Sequence, residues 1–243
     1  MIYRTKPGQV SYGEAIGIVL LDSCAPFIPG DVANATTYHF PVRYQQVPGL
    51  TVKRIFQHDT SILESVIEAG RALKSEGVRA ITGDCGFMAI YQVEMARRLE
   101  LPVFMSSLLQ IPFMLRLISE TYKIGIITAN ARALDHTVLS PCGADLPDRL
   151  VICGLEECPS FFSAIIEENG ELDTEKVETE VVAAAQALLR DMPDVKLLLF
   201  ECSVLAPYGA AVQEVTGLPV FDFVTMINYV YTAVVKQRFT GFM

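Results

Sequence analysis

Two of the six cysteines occupy matching positions in two similar stretches of the chain. Residues 78–104 align without a gap with residues 195–221, at an offset of 117, and the eight identities among 27 positions include Cys85 and Cys202. In each stretch the cysteine follows a strand-like apolar run and precedes a helix-like segment. Because ligands of open parallel sheets bind at the carboxyl ends of the strands, the repeat predicts two thiols at one cleft.

Two thiols that face each other can move a proton at a carbon atom held between them. One sulfur removes the proton and the other delivers a proton to the opposite face, which is general acid–base catalysis by a matched pair. Thiols suit this reaction because their ordinary pKa of about 8.5 can be tuned toward neutrality. The backbone amides after the cysteines are expected to stabilise the developing negative charge; they belong to Gly86, Phe87, Ser203 and Val204.

The sequence points to chemistry without a cofactor or a metal. It contains no glycine pattern typical of dinucleotide or phosphate binding and no PLP or flavin motif. The cysteines form no C-x-x-C pair and the three histidines are scattered. The cysteines outside the repeat are typical of reduced thiols packed in a core; they are Cys24, Cys142, Cys153 and Cys158.

Short β-branched runs alternate with segments of helical period along the chain. The alternation predicts parallel sheets with helices packed on them. Strands are expected at 15–21, 50–56, 78–82, 101–105, 123–128, 195–200 and 218–221, and helices at 59–77, 173–193 and 223–237. The segment 22–49 is longer than an ordinary connection, so we interpret it as a functional loop.

Several polar residues near the predicted strand ends have two interpretations each. Asp84 and Glu201 precede the cysteines and either meet solvent or raise the pKa of a thiol. Thr128 and Asn130 end the first strand of the second half and either contact a substrate or, for Asn130, form an ordinary turn. Arg43 is a candidate for binding a distal carboxylate, although a surface role is the more common one.

Composition limits the classes of partner. The formal charge of -9 and the absence of a Lys and Arg cluster argue against nucleic acid. No apolar run approaches the roughly 18 residues of a membrane helix, and the first residues lack the apolar region of a secretory signal. We expect a cytoplasmic protein that binds a small molecule and no membrane.

The chain resembles the aspartate/glutamate racemase superfamily, which includes hydantoin racemases, maleate cis-trans isomerases and arylmalonate decarboxylases. The resemblance rests on GIVLLDS, AITGDCGF, GIITANA and LLFECSVLAPY. It implies two pseudo-symmetric flavodoxin-like α/β domains, each doubly wound on a mainly parallel sheet, with the active site between them. The first domain, which carries Cys85, is expected to comprise residues 1–102 and 215–243, and the second, which carries Cys202, residues 103–214. Each boundary is expected to be accurate within ten residues. The resemblance also implies an acid–base pair of Cys85 and Cys202, substrate contacts from Asp22 and Ser23, and a possible homodimer.

The expected function is that of a cofactor-independent racemase or epimerase acting beside a carboxylate or carbonyl, on an amino-acid or hydantoin-like substrate. Gly86-Phe87 and Ser203-Val204 stand where glutamate racemases have Asn-Thr and Thr-His, which disfavours glutamate itself. A decarboxylase that keeps one cysteine is also disfavoured. Two alternatives stay open: a maleate-type isomerase with a nucleophilic cysteine, and a small-acid binding protein without turnover.

Overall fold

Two four-stranded parallel sheets form the framework of the protein, as seen in a computed structural model that describes residues 2–144 and 146–243. The first sheet has the order β2-β1-β3-β4. Its central strand β1 reads IGIVL and is buried along most of its length, as expected for a strand covered on both faces. The strands are β1 (Ile16–Leu20), β2 (Val42–Gln46), β3 (Ala80–Gly83) and β4 (Val103–Phe104).

The second sheet repeats the strand order of the first, as β6-β5-β7-β8, and every pairing described in both sheets is parallel. Its strands are β5 (Lys123–Thr128), β6 (Leu150–Gly154), β7 (Val195–Phe200) and β8 (Val220–Phe221). The predicted α/β class with two doubly wound parallel halves is therefore confirmed.

Helices cover the faces of both sheets. They are α1 (Val52–Phe56), α2 (Leu63–Ser75), α3 (Gln92–Leu99), α4 (Ile111–Leu117), α5 (His136–Leu139), α6 (Pro159–Phe161), α7 (Thr174–Asp191), α8 (Gly209–Thr216) and α9 (Phe223–Val234). Helix α7 begins at the side chain of Asp173, which accepts a hydrogen bond from the Lys176 amide. Helix α9 leaves the second sheet and packs Phe223, Met226 and Ile227 against β1 and β3.

The sequence repeat has an equivalent in the secondary structure. A 3-10 turn follows each cysteine, at Gly86–Tyr91 and at Ser203–Tyr208, and each turn continues directly into an α-helix, α3 or α8. The short strands β4 and β8 carry the repeated Val-Phe. The two cysteines thus occupy equivalent places at the carboxyl ends of β3 and β7.

One predicted strand is wrong and two strands were not predicted. The stretch 50–56 forms helix α1 instead of a strand, because the Thr51 hydroxyl accepts a hydrogen bond from the Arg54 amide and caps a helical turn. Strands β2 and β6 were not expected. Each is an edge strand with half-exposed residues, so neither has the apolar run or strict alternation that marks a buried strand.

The predicted division into 1–102 with 215–243 and 103–214 stays a prediction. Strand β4 pairs with β3 in the first sheet, and β8 pairs with β7 in the second. The chain therefore passes from the first half to the second between β4 and β5, and it returns to the first half between β8 and α9. No helix within the described residues has the length and apolar character of a membrane span.

Gly30 provides a test of how the segment 22–49 is held in place. Its φ of +101° lies in the region that favours glycine, and an added Cβ would lie 3.0 Å from the Pro207 Cα of the second half. We expect Gly30→Ala to lower the free energy of unfolding by about 2–4 kcal/mol, through backbone strain plus steric overlap. Urea denaturation measures the change.

Gly217→Ala is the matched control, because Gly217 also has a positive φ, +68°, while an added Cβ would meet no atom within 4 Å. The control is expected to lose only about 1–2 kcal/mol for the left-handed backbone. Equal losses for the two variants would contradict the proposed contact between Gly30 and Pro207.

Candidate active site

Cys85 and Cys202 line one cavity between the two halves of the protein. Each follows the last residues of its strand and precedes the 3-10 turn, with extended backbone angles. Each is only 8% exposed. The repeat thus brings the two thiols to opposite halves of a shared site, as the sequence predicted.

The cavity is small and its wall is mostly apolar. Its volume is about 40 Å³, several times the roughly 10–15 Å³ that a single water needs. Residues from both halves contribute to the wall. They are Leu21, Ser23, Ala25, Phe27, Val52, Ile55, Phe56, Asp84, Cys85, Phe87, Ala129, Ile165, Cys202, Ser203 and Val204.

Burial raises the pKa of both thiols and so favours their protonated form. For both Cys85 and Cys202, burial is the main cause of a pKa well above the ordinary value. The negative charge of Glu201 is the second cause for both thiols. The backbone amides of Phe87 and Val204 oppose these effects by hydrogen bonding to Cys85 and Cys202. Both amides belong to residues that the sequence predicts as substrate contacts, and each favours the charged form of its cysteine.

Asp84 and Glu201 connect the cysteine-bearing strands to the central strand of their own sheet. The Leu21 amide, just after β1, donates to both carboxyl oxygens of Asp84 at 3.1 Å. The Thr128 hydroxyl, at the end of β5, donates to Glu201 Oε2 at 2.8 Å. Both acids are buried, which excludes the solvent-facing role that the sequence left open.

Glu201 also reaches from the second half into the first. An added Cβ at Gly86 would overlap Glu201 Oε1 and the Glu201 carbonyl oxygen, so only glycine fits there. Glu201 Oε1 is buried and makes no hydrogen bond of ordinary geometry with the described residues. Burial raises the pKa of Glu201 to about 7. The extra methylene of Glu relative to Asp gives this side chain its longer reach.

A third buried acid, Asp31, lies in the segment 22–49. Its Oδ1 accepts a hydrogen bond from the Ala33 amide at 2.6 Å, and the nearby Ser203 side chain lowers its pKa. Its Oδ2 has no partner among the described residues. Burial raises the pKa of Asp31 to about 7 and that of Asp84 to about 8. The unusual length of the segment was the only sequence signal for Asp31.

Four predicted substrate contacts lie outside the cavity wall. Asp22 accepts hydrogen bonds from the Gln46 side chain at 2.9 Å and the Gly49 amide at 2.8 Å. Asn130 accepts from the amides of Arg132 and Ala133 and forms a turn. Thr128 and Gly86 contact Glu201 instead of the cavity.

The other predicted site residues line the cavity, and they are Ser23, Phe87, Ser203 and Val204. Ser23 already uses its hydroxyl, which donates to Glu168 at 2.5 Å. Arg43 pairs with Glu14 and Glu76 near the start of β2, so it is not the carboxylate-binding residue considered from the sequence.

Sequence reasoning missed the aromatic part of the wall. Phe27 comes from the long segment 22–49, and Phe56 ends helix α1, which had been expected to be a strand. Within residues 2–144 and 146–243, no group of three or more His, Cys, Asp or Glu side chains is arranged to hold a metal ion.

Comparison with solved structures identifies the fold. An unliganded arylmalonate decarboxylase matches with a TM-score of 0.58 and 16% identity, over 93% of this chain and 94% of that one. The Picrophilus torridus aspartate racemase matches with a TM-score of 0.58 and 14% identity, over 94% and 96%. The resemblance to the aspartate/glutamate racemase superfamily is therefore confirmed at the level of the fold.

Sequence comparison identifies closer relatives. No family model matches the chain. A dimethylsulfoniopropionate lyase 3 from Emiliania huxleyi is 33% identical over 88% of this chain, which spans 58% of that protein. A dimethylsulfoniopropionate lyase from Durusdinium sp. clade D is 34% identical over 223 residues, covering 88% of this chain and 73% of that protein. At this identity and coverage, the chain belongs to the dimethylsulfoniopropionate lyase family.

Proposed function

We propose that this protein is a lyase that cleaves dimethylsulfoniopropionate, or a close sulfonio-carboxylate, by removing a proton with a cysteine thiolate. The observation that carries the proposal is the placement of Cys85 and Cys202 on one small, buried cavity. Relatives that are named for this activity support it. The sequence alone predicted the same pair of thiols but an isomerase, whereas the relatives are named as lyases.

The substrate has the groups that an elimination requires. It carries a carboxylate and a positively charged dimethylsulfonio group, which leaves as neutral dimethyl sulfide. With the sulfonio group on C3, a thiolate takes a proton from C2, beside the carboxylate. The C2–H electron pair forms the C2–C3 double bond, and the C3–S pair departs with sulfur. The products are acrylate, dimethyl sulfide and a protonated cysteine, so charge and atoms balance.

The charge state of the site suits a zwitterionic substrate. Near neutral pH the raised pKa values of Asp31, Asp84 and Glu201 keep much of their population protonated. A thiolate in the cavity therefore faces fewer negative charges than the three acids would otherwise provide. The cationic end of an arriving substrate favours thiolate formation for the same electrostatic reason, so the substrate itself helps to generate the base.

The racemase expected from the sequence uses the same first step. Removal of a proton beside a carboxylate begins both reactions, and only the fate of the carbanion differs. A good leaving group on C3 directs it to elimination, whereas return of a proton from the second cysteine inverts the centre. Product analysis with dimethylsulfoniopropionate and with a panel of amino acids, hydantoins and maleate separates the lyase, the racemase, the isomerase and a protein that only binds.

Replacement of either cysteine tests the proposal. We expect Cys85→Ser and Cys202→Ser each to lower kcat/KM for dimethyl sulfide release by roughly 10²- to 10⁴-fold, because each removes a proton-transferring or charge-stabilising group. Gas-phase detection of dimethyl sulfide and exchange of solvent deuterium into C2 are the measurements. The variant that also loses exchange identifies the base.

Cys142→Ser is the matched control, because Cys142 is also a buried thiol but does not line the cavity. It is expected to keep dimethyl sulfide release within about threefold of the wild type, since a structural substitution away from the reacting atoms removes no charge-stabilising group. Unchanged activity in both cavity variants would refute the proposed chemistry.

The buried acids predict a loss of stability at alkaline pH. A carboxyl group whose pKa is higher in the folded state than in the unfolded state binds its proton more tightly in the folded state. The resulting stabilisation is complete below pH about 4, and it is lost as the pH rises through the pKa of the folded state. For Asp84 that value is about 8. Each such group contributes up to about 1.4 kcal/mol per pH unit within the window. Urea denaturation between pH 5 and pH 9 measures the slope.

Asp84→Asn should show a shallower decline than the wild type, because the amide does not ionise and its oxygen still accepts from Leu21. The control is Glu171→Gln at an exposed position, which should keep the wild-type slope. A wild-type stability that rises between pH 6 and pH 9 would contradict the prediction.

A further inference from the structure

We propose that Phe27, Phe56 and Phe87 form a subsite that recognises the onium cation of the ligand, that is, its positively charged methylated sulfur or nitrogen. The inference deepens the proposed function and rests on it for the identity of the natural ligand. It assigns a role to the aromatic part of the cavity wall, which the thiol chemistry does not use.

The three rings come from separate parts of the chain and meet at one cavity. Phe87 lies two residues after Cys85 and is fully buried. Phe56 ends helix α1, and its ring meets that of Phe87 edge to face, with centroids 5.0 Å apart and planes at 74°. Phe27 lies in the segment 22–49. This cluster therefore lies beside one of the two reactive thiols.

The cavity wall has no positive charge among its described residues. It includes no Lys, Arg or His, and its one acidic member is Asp84. The basic side chains that neighbour Phe56 in the chain both have partners. Arg54 pairs with Asp59 at 3.4 Å, while His58 bonds the Ala133 carbonyl oxygen at 2.8 Å and stacks its ring on that of Phe87, with centroids 6.5 Å apart. No basic side chain of the wall would therefore repel a cationic group of a ligand.

Aromatic faces complement an onium group in a way that aliphatic side chains do not. The ring face carries partial negative charge and attracts a cation, while the methyl groups of the cation pack against it as an apolar surface. The cavity satisfies both requirements, because its wall is mostly apolar and includes three rings. The natural leaving group of the proposed reaction, a dimethylsulfonio cation, has this combination of charge and apolar surface.

The subsite also orients the substrate. Because Phe87 lies two residues after Cys85 on the same wall, an onium group held by the rings brings the rest of the substrate to the wall that carries the thiols. The same contact stabilises the cation until the C3–S bond breaks. Neutral dimethyl sulfide loses the electrostatic part of this attraction, which favours its release.

Two ligands of the same shape and different charge test the proposal. Dimethylsulfoniopropionate and 4-methylpentanoate differ by the replacement of the sulfonium sulfur with a neutral CH group. Calorimetric titration uses the Cys85→Ser/Cys202→Ser double variant, so that the first ligand is not consumed. We expect the sulfonium ligand to bind about 10- to 30-fold more tightly than the neutral one. A difference below threefold overturns the subsite.

Phe56→Leu and Phe27→Leu, each in the double-variant background, should reduce the preference for the cation to about threefold or less. Both rings are half-buried, so each variant provides a test if the other fails to fold. Val52→Ala is the control, because Val52 is an aliphatic member of the same wall. It should weaken both ligands alike. An undiminished preference in both phenylalanine variants overturns the proposal.

The outcome is separable from that of the proposed function. A charge preference that depends on the rings, without dimethyl sulfide release by the wild type, supports the subsite and refutes the reaction. Dimethyl sulfide release together with equal affinity for the two ligands supports the reaction and refutes the subsite. 3-(Trimethylammonio)propanoate, titrated in parallel, should share the tight binding because it presents a similar methylated cation.

Discussion

The contact between Glu201 and Gly86 is the constraint on which the site depends. The carboxyl group of Glu201 leaves the end of β7, bonds Thr128 beside it, and occupies the space that a side chain at position 86 would need. One buried acid thereby joins the turn after Cys85 to the strand before Cys202. The two thiols belong to different sheets, and this contact is a direct link between the segments that carry them. Burial without a full set of hydrogen bonds also explains why the pKa of this acid is raised to about 7.

Asp84 and Glu201 show how a repeated element acquires different roles. Each acid bonds the end of the central strand in its own sheet, through the Leu21 amide or the Thr128 hydroxyl. Asp is too short to reach farther, whereas Glu extends to the opposite half. The residues that follow the two cysteines, Gly86 and Ser203, also occupy equivalent positions but have different neighbours. Gly86 leaves room for a carboxyl group, while the side chain of its counterpart Ser203 lowers the pKa of Asp31. The surroundings of the two thiols are therefore chemically different although their backbones are equivalent.

Much of this arrangement could be predicted from sequence, because the internal repeat identifies equivalent positions in the two halves. The offset of 117 placed Cys85 and Cys202 at equivalent strand ends, and parallel strands direct such ends to one edge of a sheet. Edge strands β2 and β6 could not be predicted, since half-exposed residues lack a clear period. Neither could Asp31 or Phe27, because long-range folding of a loop determines which of its side chains enter a cavity. Asp22 looked suitable by position, but Gln46 and Gly49 of the unexpected neighbouring strand and its turn engage it.

The difference between Gly86 and Ser203 has an evolutionary consequence. In a homodimer of identical half-sized chains, any substitution beside one thiol would appear beside the other as well. Such an assembly would present both faces of a bound carbon to equivalent groups. A fused, duplicated chain is free of that restriction, and each half can diverge independently. Divergence of this kind allows one chain to place different acids beside its two thiols, Glu201 beside Gly86 and Asp31 beside Ser203.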